Sequence, residues 1–226
     1  MTDTLPETSS QTAAPTPAQS LPSRSSRVQA VQPVLEKLFE LYPHLFGAKF
    51  LPLKLGVFQE LLARHPEQFE RDTLKAALGL HTRSTRYLQS VAAGRQRHDL
   101  DGVAVEDVAP EHVHFALLEL YRRRQFRSKE DLRPKLRAQL IAAFEASGLS
   151  RQEYLSRVQT KDENANALLE EALAQYDQKR AKLEALLGAF ESSGKTVAEF
   201  ADMYGLDPHD VALLLAQKRK PSVAAA

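Results

Sequence analysis

PLKLGVFQELLARHPEQFERDTLKAALGLHTRSTRYLQSVAAGRQRHDLD, residues Pro52–Asp101, decides the fold. Apolar residues recur in it at helical spacing, and Lys and Arg alternate with them. Leu53, Val57, Phe58, Leu61 and Leu62 predict one helix. Pro52 falls in its first turn, where a missing N–H does no harm, and Pro66 lies beyond its end. Leu74, Ala77 and Leu78 predict a second helix over Arg71 to Leu80, interrupted near its end by Gly79. Thr82 or Ser84 can cap a third, which carries Tyr87, Leu88 and Val91 and stops at Gly94. Arg97 to Val108 then reads as a β-hairpin, with Asp101-Gly102 as a two-residue turn between His98/Leu100 and Val103/Val105.

The flanks continue in helices. Upstream, Val31, Leu35, Leu38 and Leu41 predict a helix over Val28 to Tyr42, ended by Pro43. Downstream, Pro110 opens a long helix with Val113, Ala116, Leu117 and Leu120 inward, running into Tyr121 and the cluster from Arg122 to Arg127. Beyond it the chain is helical and repeats itself. Leu140-Ile-Ala-Ala-Phe-Glu-Ala-Ser-Gly148 aligns with Leu186-Leu-Gly-Ala-Phe-Glu-Ser-Ser-Gly194 at an offset of 46. The same offset pairs Glu153-Tyr154 with Glu199-Phe200 and Leu168-Leu169 with Leu214-Leu215. Two similar helical units follow, over about 138–180 and 184–217, expected to pack on each other or on a second chain. The expected division is a disordered tail at 1–26, rich in Ser, Thr, Pro, Gln and Ala, a domain at 27–128, a helical extension at 129–217 and a basic, Ala-ending tail at 218–226. The fold class is therefore mainly α with one small hairpin.

Composition narrows the function. The 226 residues contain no cysteine, which removes disulfides, thiolate nucleophiles and cysteine-held zinc. No apolar run approaches membrane-spanning length, so a soluble, unexported, cytoplasmic protein with no membrane partner is expected. The net charge of +1 conceals two opposed halves. Gly47 to Arg137 carries 17 Lys and Arg against 12 acids, and Ala138 to Gln217 carries 7 against 13. The basic half is the candidate for a polyanion. Arg71 and Lys75 lie four apart and share a helix face; Arg83, Arg86, Arg95 and Arg97 follow, with Tyr87 among them. Phosphate needs such cations, and an unpaired base needs a planar group to stack on. On composition alone an ordinary solvated helix face remains the better explanation.

The motifs change that balance. PLKLGVFQEL (Pro52–Leu61), LKAALGLHT (Leu74–Thr82), RYL (Arg86–Leu88), the spaced Gly94 and Arg97, DLDG (Asp99–Gly102) and His112-Val113 with Ala116 together resemble the ProQ/FinO family of bacterial RNA chaperones, in order and spacing, over about Val28 to Phe126. The resemblance implies a compact helical domain with a hairpin. It implies binding of structured RNA, typically terminator hairpins of small RNAs and mRNAs with their 3′ U-rich tails. It places Tyr87 and Arg97 in a pocket, Lys54 in the PLK motif beside it, Arg71 and Lys75 on the helix facing the stem, and Arg86 next to the tyrosine. Three positions depart from the family pattern. Gly79 stands where relatives can carry another arginine, His81 where tyrosine is common, and Ala92 where lysine occurs. Arg83, Arg95 and the cluster Arg122, Arg123 and Arg124 are candidate substitutes.

Other chemistries are weak. Asp99 and Asp101 could pair as carboxylates, but the Asp-Gly turn already accounts for them. His112 and His114 lie two apart on a helix and diverge, so they make no metal pair. Ser193-Gly194-Lys195-Thr196 resembles the end of a phosphate loop but lacks its first glycine and its strand. No enzyme activity and no cofactor are expected. Ala201, Gly205, Val211 and Leu214 have helix-turn-helix spacing, so a DNA-associated adaptor or regulator is the alternative function. Asp207 and Asp210 would repel phosphate there, which favours an interaction module. Residues 138–217 are left open to a protein partner, to self-association or to competition with RNA for the basic face.

Overall fold

The structure, a computed structural model, describes residues 24–219, with side chains from Gln29 to Ala216. Most of the N-terminal tail and the end of the basic tail lie outside the described residues. The helix α1 (Arg24–Leu41) begins before the expected Val28. After the single turn α2 (Pro43–Phe46), the chain does not enter a helix at Pro52. Leu53 instead forms a parallel bridge to His98, Lys54 N–H donates to the His98 carbonyl at 2.8 Å, and Gly56, in the left-handed region at φ 84°, starts α3 (Val57–Arg64). The helical periodicity from Leu53 is thus overridden by backbone pairing with the hairpin.

Glu70 opens α4 (Arg71–Thr82) by accepting from the Asp72 and Thr73 N–H groups at 3.0 and 2.8 Å. Gly79 does not interrupt it; the helix runs through to Thr82. Ser84, not Thr82, caps α5 (Thr85–Ala92). The hairpin is shorter than its alternation suggests. Strands β1 (Arg97–His98) and β2 (Ala104–Glu106) pair antiparallel with a bulge between Arg97 and His98. Their connection is a longer loop, in which Asp99 Oδ1 accepts from the N–H groups of Asp101 and Val103. The first core gathers Leu38, Leu45, Leu61, Leu74, Leu88, Leu100 and Leu120, so α1 to α5 and the hairpin close around one face of α6 (Pro110–Gln125).

The other face of α6 is buried too. Leu117 and Leu118 join Leu136, Leu140, Phe144, Tyr154, Leu169 and Leu173 in a second core. These come from α7 (Arg133–Ser147), α8 (Arg151–Val158) and the first half of α9 (Glu163–Ser193). The repeat is physical. Gly148 and Gly194 end α7 and α9 in the left-handed region, and Ser150/Glu153 and Thr196/Glu199 then form capping boxes for α8 and α10 (Val197–Tyr204). The units do not pack face to face. The first packs on α6; the second, built from the end of α9, α10 and α11 (Pro208–Arg219), has its own small core of Phe200, Ala201 and Val211. They share α9, whose 31 residues span about 46 Å.

Candidate nucleic-acid interface

Leu53 is the centre of the site. Its N–H donates to Tyr87 Oη at 3.0 Å, and its carbonyl accepts from Arg97 Nη1 at 2.9 Å. The two side chains singled out for the pocket therefore converge on the two polar atoms of one residue. Tyr87 comes from α5 and Arg97 from β1, and both are buried, at 6% and 7% exposure. Arg97 also bonds His112 Nδ1 at 3.1 Å and lies 3.8 Å from Glu106, whose Oε1 accepts from the Leu55 N–H. A cation this buried is held by several acceptors at once, which satisfies its fork and fixes its plane. Burial pushes the Tyr87 phenol above its ordinary value, so it stays neutral and able to hydrogen-bond. Lys54 is half-buried at the rim, its Nζ 3.5 Å from Glu60.

Behind Tyr87 stands an aromatic stack. The His81 ring lies 4.4 Å from Phe50, 4.7 Å from Phe46 and 5.3 Å from Tyr87 between centroids. Burial lowers its pKa to about 4, so His81 is a neutral packing element and adds no charge to the face. Arg86 lies over the other ring of this stack, 5.8 Å from the Phe50 centroid, and Arg71 sits at the same distance from Phe58.

Ion pairing separates the basic candidates into two groups. Arg71, Lys75, Arg83, Arg86, Arg95 and Arg124 are exposed and make no salt bridge among the described residues. Three of them form a line: Arg71, Lys75, Gly79 and Arg83 recur every four residues along α4. The Arg83 guanidinium folds back over Gly79, where an added Cβ would lie 3.0 Å from Nη2. The Arg83 guanidinium thus occupies the space over position 79. Arg122 and Arg123 belong to the other group. Arg122 Nη2 pairs with Asp162 at 2.6 Å and so holds the start of α9. Arg123 bonds Glu119 at 2.9 Å, the Arg83 carbonyl at 2.9 Å and Thr85 Oγ1 at 3.3 Å, so it locks the α4–α5 junction. The expected arginine cluster is therefore divided: of Arg122, Arg123 and Arg124, Arg124 alone makes no salt bridge among the described residues.

The rejected chemistries have structural explanations. Asp99 shapes its turn, and Asp101 takes a bidentate pair from Arg64 at 2.8 and 2.7 Å. No group of His, Asp and Glu suited to a metal occurs among the described residues, and no helix among them is long and apolar enough to cross a membrane. In the second unit α10 and α11 do form two helices around Gly205, but Val197 to Ala216 carries four acids and no Lys or Arg. Sequence inspection missed Glu106, His112, Phe50 and the Leu53 backbone as parts of the site. The register shift beside Arg97, which leaves Val105 unpaired on β2, has no signature in the residue pattern.

A sequence model described as the ProQ/FINO family matches residues 28–133. Among curated proteins, "RNA chaperone ProQ" of Shewanella frigidimarina is 34% identical over 126 residues, 53% of this chain and 62% of that protein. The protein of the same name from Shewanella oneidensis is 40% identical over 87 residues, 37% of this chain and 41% of its own length. The chain thus spans less than two thirds of the curated relatives it matches. A solved structure described as a FinO-like RNA chaperone, from Neisseria meningitidis MC58, is 30% identical and aligns over 39% of this chain and 90% of its own, with a TM-score of 0.36. Residues 28–133, which contain the α4 stripe and the Tyr87–Leu53–Arg97 cluster, are the part of the chain that matches the ProQ/FinO family.

Proposed function

We propose that this protein is a non-enzymatic RNA chaperone that binds structured RNA on the α4–α5 face. Its targets are hairpins with 3′ U-rich tails from small RNAs and mRNAs, met in a bacterial cytoplasm. The observation that carries the proposal is the row of exposed cations Arg71, Lys75, Arg83 and Arg86, without ion pairs among the described residues, beside the Tyr87–Leu53–Arg97 cluster. A-form RNA hides its base edges in a deep, narrow groove, so a protein meets the duplex through its phosphates and reads identity at unpaired ends. A line of cations one helical turn apart suits the first task. The second falls to the rim around Lys54, Arg97 and His112. The relatives named RNA chaperones support the same activity.

The test is binding of a fluorescent hairpin with and without its 3′ U tail. Arg71→Ala with Lys75→Ala should weaken both RNAs alike and lower the salt slope by roughly one for each cation. Lys54→Ala should reduce only the advantage conferred by the tail. Equal binding of duplex DNA, or unchanged affinity in both variants, would sink the proposal.

A further inference from the structure

Between α5 and α7 runs a groove that neither the stem face nor the tail corner uses. It consists of two cavities of about 240 and 570 Å³ that share Ala92, Ala93, Leu117 and Gln139 in their walls. Leu117 of α6 is the floor. The α5 wall presents Gln89 and Ala93, and the α7 wall presents Gln139 and Ala142. One mouth carries Arg124 and Lys135, exposed and without ion pairs among the described residues; the other carries Asp107 and Ser147.

We infer that this groove holds unpaired nucleotides flanking the hairpin, so that the helical extension completes a second RNA contact. The inference rests on the proposed RNA-binding function. Three observations favour RNA over another occupant. The α5 face that carries Arg86 continues through Gln89 and Ala93 at helical spacing, so the groove wall prolongs the proposed stem face. Alanine methyls on both walls leave a flat-sided slot, and a base offers apolar faces to such walls. The two glutamine amides are neutral donors and acceptors suited to base edges, and the Arg124–Lys135 mouth suits phosphate. Asp107 makes the opposite mouth unfavourable for phosphate, which gives the strand a direction of entry.

With the 3′ end assigned to the Lys54 corner, the flank free to reach the groove is the 5′ one. The experiment uses the full chain and two hairpins with the same stem and 3′ tail, one carrying an unpaired 5′ flank of about eight nucleotides, a length within the span of single-strand sites. The flank should tighten wild-type binding roughly ten-fold. Ala142→Trp, which fills the slot from an exposed position, and Gln139→Leu with Lys135→Gln should each abolish that gain. Both should leave the flankless hairpin unaffected. A 4-thiouridine in the flank should crosslink to the segment 135–147. No gain from the flank, a gain that survives both variants, or displacement of the flank by poly-glutamate as readily as by RNA would overturn the inference. Failure of the flankless hairpin to bind would instead remove the RNA-binding function, and the inference with it.

Discussion

Leu53 shows that the motif singled out for a pocket first does structural work. Its N–H and carbonyl are consumed by Tyr87 and Arg97, so neither side chain is free in the way an open pocket residue would be. Tyr87→Phe deletes only the acceptor and strands a buried N–H, which costs about 1–3 kcal/mol. Chemical denaturation should show that loss with an unchanged m value; an unaltered midpoint would mean that the bond contributes nothing. Tyr87→Ala would open the aromatic stack as well, so the phenylalanine variant is the cleaner probe of the tail contact. His81 and His114 make a second prediction. Burial holds both pKa values down at about 4, against 6.5 unfolded. The unfolded chain therefore binds protons first as pH falls. Stability from these residues is complete above pH 6.5, is lost progressively towards pH 4 and amounts to about 3 kcal/mol for each. His81→Phe should flatten the pH dependence of the melting temperature between pH 7 and 5. An equally steep loss in that variant would place the acid sensitivity elsewhere.

The helices that show in the sequence are those whose periodicity and caps agree. α4 and α5 have both, as do the repeated joints after Gly148 and Gly194, while α6 has its periodicity and a first-turn proline. Pro52–Leu55 was illegible for a physical reason. Leu53 and Val57 are four apart and look helical, yet the Pro52 carbonyl and the Lys54 N–H are both spent on His98 of β1, a distant pairing invisible in local spacing. The arginines behaved likewise: Arg122, Arg123 and Arg124 are alike as letters, and only the folded positions of Asp162, Glu119 and the Arg83 carbonyl divide them. The hairpin loop was legible at one residue. Gly102 has φ of 78°, and an added Cβ would lie 2.7 Å from His44 Cδ2. His44 Nε2 is itself 3.1 Å from the Leu100 carbonyl, so the ring cannot swing away without losing that bond. Gly102→Ala should thus cost about 1–3 kcal/mol, by backbone strain and by displacement of His44. Thermal melts would register it, and a neutral result would mean that the loop rearranges freely.

α6 belongs to two cores at once, and this sets how the chain can be divided. Its Ala116 and Leu120 face the first core, while Leu117 and Leu118 face the second, where His114 meets Tyr154 edge-on at 6.3 Å. The first repeat unit is consequently part of the body that carries the proposed RNA face. Among the described residues, the core of the second unit is built against the end of α9. Charge points the same way: Arg122–Asp162 ties α6 to the acidic extension, which occupies Arg122 and leaves the α4 row open. The acidic half therefore need not cover the basic half in order to pack against the same domain. A chain ended after Gly194 should melt close to the full chain, since every residue of the first two cores remains. A chain ended after Arg137 uncovers Leu117 and Leu118, buried at 4% and 3% exposure, and leaves Leu136 without Leu140 and Phe144. Losing that many buried side chains, at roughly 1.5–3 kcal/mol each, exceeds what a small domain can spare. The shorter chain should aggregate or melt far lower, by circular dichroism. Equal melting of both would mean that the first core is self-sufficient and α7 to α9 merely rest on it. The groove between α5 and α7 could then open without cost to the proposed RNA face, and any contribution of the extension to RNA binding would have to come from charge alone.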